Sequence, residues 1–253
     1  MTPSTPTATD PSTRGPAAGL AVQFVLLAVI AGTVGLTAAG WLAGAAYGIV
    51  LCGLLARGLR RSGATGLGPA NVVTLARALM VGGVTALVVT SWQQPVHQAL
   101  LVTVVAVALA LDGVDGQVAR RTGTTSALGA RFDMEVDSFL VLLLSVFVAG
   151  TYGWWTVAIG AFRYLFVAAS WALPWLTAPL PPRFSRKVVA VVQGVVLVVA
   201  TTGLLPYPVV LAALAVAVAS PTWSFGLDIA WLWRTEQARR VAGARPNRPV
   251  VPA

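Results

Sequence analysis

Charged residues are scarce in this chain and fall in clusters, and the uncharged runs between the clusters have the length of membrane spans. From Gly15 to Ala56 no residue is charged. A spanning helix needs about 20 apolar residues, so this run holds two, with a break expected near Ala39-Gly40-Trp41. Arg57, Arg60 and Arg61 follow, then a Gly-rich linker to Gly68. Asn71, Thr74 and Arg77 come at steps of three, which places them on one helix face, with Asn71 suited to cap the helix. The apolar run after them ends at Val89, and the break Ser91–His97 separates it from Ala99–Leu111. Ser138–Phe162 is uncharged, broken at Gly153-Trp154-Trp155, and the following span carries Arg163. A Pro-rich loop closes on Arg183, Arg186 and Lys187. Val188–Leu227 then supplies two further spans, broken at 204–208, the last ending near Trp233.

The pattern predicts an all-α polytopic membrane bundle of about eight helices. Residues 1–17, rich in Thr, Pro, Ser and Ala, read as a disordered tail rather than a cleavable leader. Residues 18–62 form a two-helix extension, 63–235 a six-helix core, and 236–253 a basic tail. The loops at 57–68, 116–132 and 176–187 and the C-terminal tail carry Arg or Lys; the loops between them carry none. The two sets alternate, so the positive-inside rule puts both termini on the cytoplasmic side of the cell membrane.

Composition agrees. The chain is 57% hydrophobic and 10% charged, against about 25% charged in soluble domains. The net charge of +9 would suggest nucleic acid in a soluble protein; here no soluble stretch is long enough to read it, and the excess belongs to cytoplasmic loops facing anionic lipid. Cys52 is the single cysteine and reads as a packing residue; His97 has no partner nearby in sequence.

Against that background one stretch stands out. The chain has 8 acidic residues, and Asp112, Asp115, Asp133, Glu135 and Asp137 lie within Asp112–Asp137. Carboxylates near lipid are costly without a cation or water. Asp112 and Asp115 share one helix face, as do Asp133 and Asp137. With a turn near Arg120–Thr125, the two pairs face each other at the ends of a helical hairpin. Two hard cations such as Mg²⁺ or Mn²⁺ would resolve the repulsion, and paired metals serve displacement at phosphorus. Gly116, Ala119 and Gly129 clear side chains where a base or diphosphate would approach, and Arg120 offers a planar fork to phosphate. Glu135 points away from the flanking aspartates, with Arg131 one turn back as its expected partner.

At these residues the chain resembles the CDP-alcohol phosphotransferase family. The family's signature is D-x-x-D-G-x-x-A-R, eight residues, G-x-x-x-D-x-x-x-D. Asp112, Asp115, Gly116, Ala119, Arg120, Gly129, Asp133 and Asp137 match it without departure. Asn71, Thr74 and Arg77 match the second motif, P-N-x-x-T-x-x-R, with Ala70 in place of its proline.

The resemblance implies a metal-dependent transfer from a CDP-linked alcohol, usually CDP-diacylglycerol, to an acceptor hydroxyl with release of CMP, in phospholipid biosynthesis. It assigns Asp112, Asp115 and Asp133 to metal, and Asp137 to the general base with a metal contact as well. It assigns Asn71, Thr74, Gly116, Ala119, Arg120 and Gly129 to the cytidine diphosphate. It also implies a homodimer. The acceptor is left open. Arg163, Arg183, Arg186 and Lys187 are candidates to hold a phosphorylated alcohol such as inositol phosphate or glycerol phosphate; structural pairing of Arg163 and plain loop charge are the other readings. A different CDP-alcohol donor, a lipid acceptor, and a non-enzymatic cation transporter complete the alternatives.

Overall fold

The computed structural model describes residues 11–62, 67–122, 127–177 and 184–243. Among them are eight α-helices and no strand: α1 (Pro11–Val34), α2 (Ala38–Ser62), α3 (Pro69–Thr90), α4 (Gln98–Thr122), α5 (Ala127–Tyr152), α6 (Val157–Ala172), α7 (Phe184–Thr202) and α8 (Tyr207–Gly243). The all-helical polytopic bundle expected from the charge pattern is the fold observed.

Several boundaries differ from expectation, each for a local reason. α1 starts at Pro11, inside the stretch read as a tail, because proline in a first turn forfeits no hydrogen bond. The α1–α2 break falls at Gly35, not at Ala39–Trp41. Gly35 has φ +77°, a conformation that ends a helix cheaply only at glycine. Gly153, at φ +101°, ends α5 where a break was expected. α3 begins at Pro69 with Gly68 in the N-cap position, so Asn71 lies within the first turn and does not cap. α7 begins at Phe184, which puts Arg186 and Lys187 in its first turn rather than in a loop. α8 continues ten residues past Trp233, through a segment with no proline before Pro246.

Among the described residues five helical segments are long and apolar enough to cross a membrane: Gly15–Val34, Ala38–Ser62, Asn71–Thr90, Trp154–Ala172 and Tyr207–Gln237. Gln98–Gly113 and Val188–Thr202 are shorter apolar stretches. α4 and α5 give up apolar length because each carries signature aspartates inside the helix.

α3 is the hub. Its spanning segment is 72% buried, against 22% for α1, and it packs on α1, α2, α4 and α5. Val81, Val84, Leu87 and Val88 of α3 meet Leu101 and Val105 of α4 and Leu140 and Leu144 of α5 in the core. Lipid is as apolar as these side chains, so close approach of small residues must hold the helices together. α2 supplies Gly40, Gly44 and Gly48; α3 supplies Gly82, Ala86 and Thr90. A Cβ on Gly44 would stand 3.1 Å from Ala86 Cβ and 3.2 Å from the Gly82 carbonyl. Gln23 of α1, fully buried, fits into the room left by Gly48 and Gly82. The N-terminal extension is thereby seated on the helix that carries Asn71, Thr74 and Arg77.

Candidate active site

The site forms where α3, α4 and α5 meet near the ends that carry their polar residues. α3 brings Arg77, whose side chain is 1% exposed. A guanidinium so buried in an apolar bundle must be met by carboxylates. Asp112, late in α4, and Asp133, in the second turn of α5, each accept a hydrogen bond from it. Asp137, one turn further along α5, lies 3.1 Å from the same guanidinium. The three aspartates are 41%, 38% and 45% exposed. The arginine thus forms the floor of the site and the carboxylates its open rim.

The expected facing of the two helix ends is present for Asp112 against Asp133 and Asp137. Asp115, Gly116, Ala119 and Arg120 continue α4, but their side chains lie outside the described residues. Arg183 lies outside them as well, as do the side chains of Arg186 and Lys187. Thr74 is buried and Asn71 half-buried on the Arg77 face of α3. Gly129 sits one turn before Asp133, half-buried.

The donor set fits a divalent cation. One oxygen from each of Asp112, Asp133 and Asp137 lies within 4.8 Å of the others. Two like charges about 4 Å apart repel by roughly 4 kcal/mol near a protein surface. Three carboxylates against one guanidinium leave the described cluster two negative charges in excess (3 − 1). Hard oxygen donors, partly open to solvent, with a deficit of two positive charges suit a hard divalent cation.

Arg77 is the residue for which reading the sequence had no site role. The signal was present: a lone arginine before a long apolar run, on the same face as Asn71 and Thr74. Its partners are 35 and 56 residues away, which no local spacing reveals. Glu135 is also placed differently from expectation. It points away from the aspartates, as its register requires, but its partner is Arg163 of α6 and not Arg131. Arg163 also donates to Met134 Sδ at 2.9 Å. A neighbouring helix presents its guanidinium directly to Glu135, whereas Arg131 points into a groove on the α2 side.

No curated protein and no solved structure matches the chain significantly. A family profile does match, over residues 68–221. That range runs from the N-cap of α3 into α8 and holds Arg77 and the three aspartates it binds. It covers more than half of the chain, which therefore belongs to the CDP-alcohol phosphatidyltransferase family.

Proposed function

We propose that this membrane transferase moves a phosphatidyl group from CDP-diacylglycerol to the hydroxyl of a small polar alcohol, such as inositol phosphate or glycerol phosphate, and releases CMP. The observation that carries the reading is the convergence of Asp112 from α4 and Asp133 and Asp137 from α5 on Arg77 of α3. The alcohol oxygen attacks the phosphorus that bears the diacylglycerol oxygen. A new P–O bond forms, the P–O bond to CMP breaks, and the hydroxyl proton passes to Asp137.

Asp137 suits the base role on two counts. It is the most exposed of the three carboxylates, and its contact with Arg77 is the longest. Asp112 and Asp133, held directly by the guanidinium, are the metal ligands in this reading, with Asp115, three residues after Asp112 in the sequence, as a further one. Asp112, Asp115 and Asp133 would hold a Mg²⁺ or Mn²⁺, which would supply positive charge against the diphosphate. Asn71, Thr74, Gly116, Ala119, Arg120 and Gly129 hold the cytidine diphosphate. Arg186 and Lys187 fall in the first turn of α7 and Arg183 precedes them in the sequence; these are the residues we assign to a phosphorylated acceptor, and Arg163, held by Glu135, stands second to them. The alternation of basic and uncharged connections along the sequence supports a site on the cytoplasmic face, where soluble alcohols have access.

The test is CMP release from CDP-diacylglycerol by purified protein with Mg²⁺, across inositol phosphate, glycerol phosphate, serine and inositol. Turnover with a phosphorylated alcohol and little with its unphosphorylated counterpart is expected. Equal turnover with inositol and inositol phosphate would remove the basic residues from acceptor recognition. No CMP with any alcohol would remove the donor.

A further inference from the structure

A groove of about 680 Å³ runs between the N-terminal extension and the core, on the side of α5 away from the aspartates. Ala43, Tyr47, Val50 and Leu54 of α2 form one wall, and Phe132 and Phe139 of α5 the other. Tyr47 and Phe139 stack across it, ring centroids 5.1 Å apart. At 100° per residue, Asp133 and Asp137 project roughly 150° around α5 from Phe132, Glu135 and Phe139. The groove is therefore not the site where the transfer takes place.

Its dimensions and charge select an occupant. Ala43 to Leu54, and Leu128 to Phe139, each cover about 16 Å at 1.5 Å per residue. One leaflet of hydrocarbon is about 15 Å, half of a core of roughly 30 Å. Nearly all of the lining is apolar, and Val50 and Leu54 are exposed along its lip. At one end the walls turn cationic. The α2 stripe continues from Leu54 to Arg57 and Arg61 at steps of three and four, and α5 contributes Arg131. All three arginines are exposed, and among the described residues none is in an ion pair. Glu135, the acid in the wall, is already neutralised by Arg163. An apolar shaft one leaflet deep under three uncompensated guanidinium groups is complementary to one molecule type, an acyl chain carrying a phosphate headgroup with net negative charge.

We propose that this groove is a binding site for an anionic membrane phospholipid, built jointly by the extension and the core, with an acyl chain between α2 and α5 and the headgroup phosphate at Arg57, Arg61 and Arg131. The site gives the extension a role the transfer reaction does not. It also couples the lipid to the far face of α5, the helix that presents Asp133 and Asp137.

The experiment is native mass spectrometry of the full chain in non-ionic detergent, titrated with phosphatidylglycerol or phosphatidylcholine of identical chains. The unaltered protein should retain one phosphatidylglycerol per chain at a concentration about tenfold below that needed for phosphatidylcholine. Ala46, on the same α2 wall, and Val50 are the positions to fill: Ala46→Trp and, separately, Val50→Trp should abolish retention of either lipid, with CMP release showing that each variant is folded. Arg57→Gln, Arg61→Gln and Arg131→Gln combined should erase the preference while leaving chain binding. Equal affinity for the two lipids in the unaltered protein, or full retention by both tryptophan variants, would overturn the proposal. So would efficient disulfide cross-linking of Leu54→Cys between two copies in the membrane, which would make a second copy of the chain the occupant.

Discussion

Arg77 on α3 and Asp112 on α4 are joined guanidinium to carboxylate, and the second nitrogen of the same guanidinium reaches Asp133 on α5. One planar fork thus ties together three helices at the point where the signature carboxylates meet. A lysine carries the same charge but only a point donor on a flexible stem. Arg77→Lys should therefore lower CMP release at least tenfold and lower the melting temperature in detergent. Arg77→Met should be worse, because it removes the cation that the carboxylates share; breaking a buried pair costs about 3–5 kcal/mol, less here since the acids are partly exposed. Wild-type turnover in Arg77→Lys would show that the fork does not organise the site.

Asp137 is separable from its neighbours by kinetics. General base catalysis contributes about 10²–10⁴-fold, so Asp137→Asn should cut turnover by about a thousandfold. Because Asp112 and Asp133 remain on Arg77, donor binding should persist, measurable by retention of labelled CDP-diacylglycerol in the presence of Mg²⁺. Loss of donor binding in parallel with turnover would make Asp137 a binding group instead.

Metal removal addresses the other two aspartates. Chelation should abolish CMP release, with recovery on adding Mg²⁺ or Mn²⁺. Asp112→Asn combined with Asp133→Asn removes two of the three clustered ligands and cuts the excess negative charge from two to none (1 − 1). Mn²⁺ bound to the unaltered protein, counted by paramagnetic resonance, should be lost in that double variant. Unchanged Mn²⁺ binding would place the metal elsewhere.

The pair of Glu135 and Arg163 marks how far sequence alone could go. The helices were legible because charge is scarce: the uncharged runs and their breaks correspond to the eight helices, although among the described residues five segments have the length and apolarity to cross a membrane. The carboxylate cluster was legible for the same reason, since acids in an apolar chain need an explanation. Partners across helices were not legible. Arg131 is one turn from Glu135 and was the natural choice by spacing, yet α6 brings Arg163 to it from 28 residues away. Arg77 was visible as a motif residue, but its role was out of reach for the same reason, since its partners lie on α4 and α5. Glu135 is 55% exposed and Arg163 30%, so the pair should contribute no more than about 1 kcal/mol. Glu135→Gln should accordingly leave CMP release within about twofold and shift melting only slightly. A tenfold loss would draw Glu135 into the site.

The seat of the extension on α3 was likewise beyond reach of spacing, because it depends on which small residues face one another. Gly40, Gly44 and Gly48 repeat every four residues, and so do Gly82, Ala86 and Thr90, but only the packed structure pairs the two sets. A side chain on Gly44 would meet Leu27 at 2.7 Å as well as Ala86 and Gly82. Leu27 has nowhere to retreat, being fully buried. Overpacking of this kind costs about 1–3 kcal/mol, and here it would push α2 away from the helix that holds Arg77. Gly44→Leu should therefore lower both melting temperature and CMP release. Gly53→Leu is the control on the same helix, since a Cβ there has nothing within 4 Å. Gly53→Leu should behave as the unaltered protein. If the two variants lose activity equally, bulk on α2 matters for some reason other than its contact with α3. If neither loses any, the extension does not support the site through this seam.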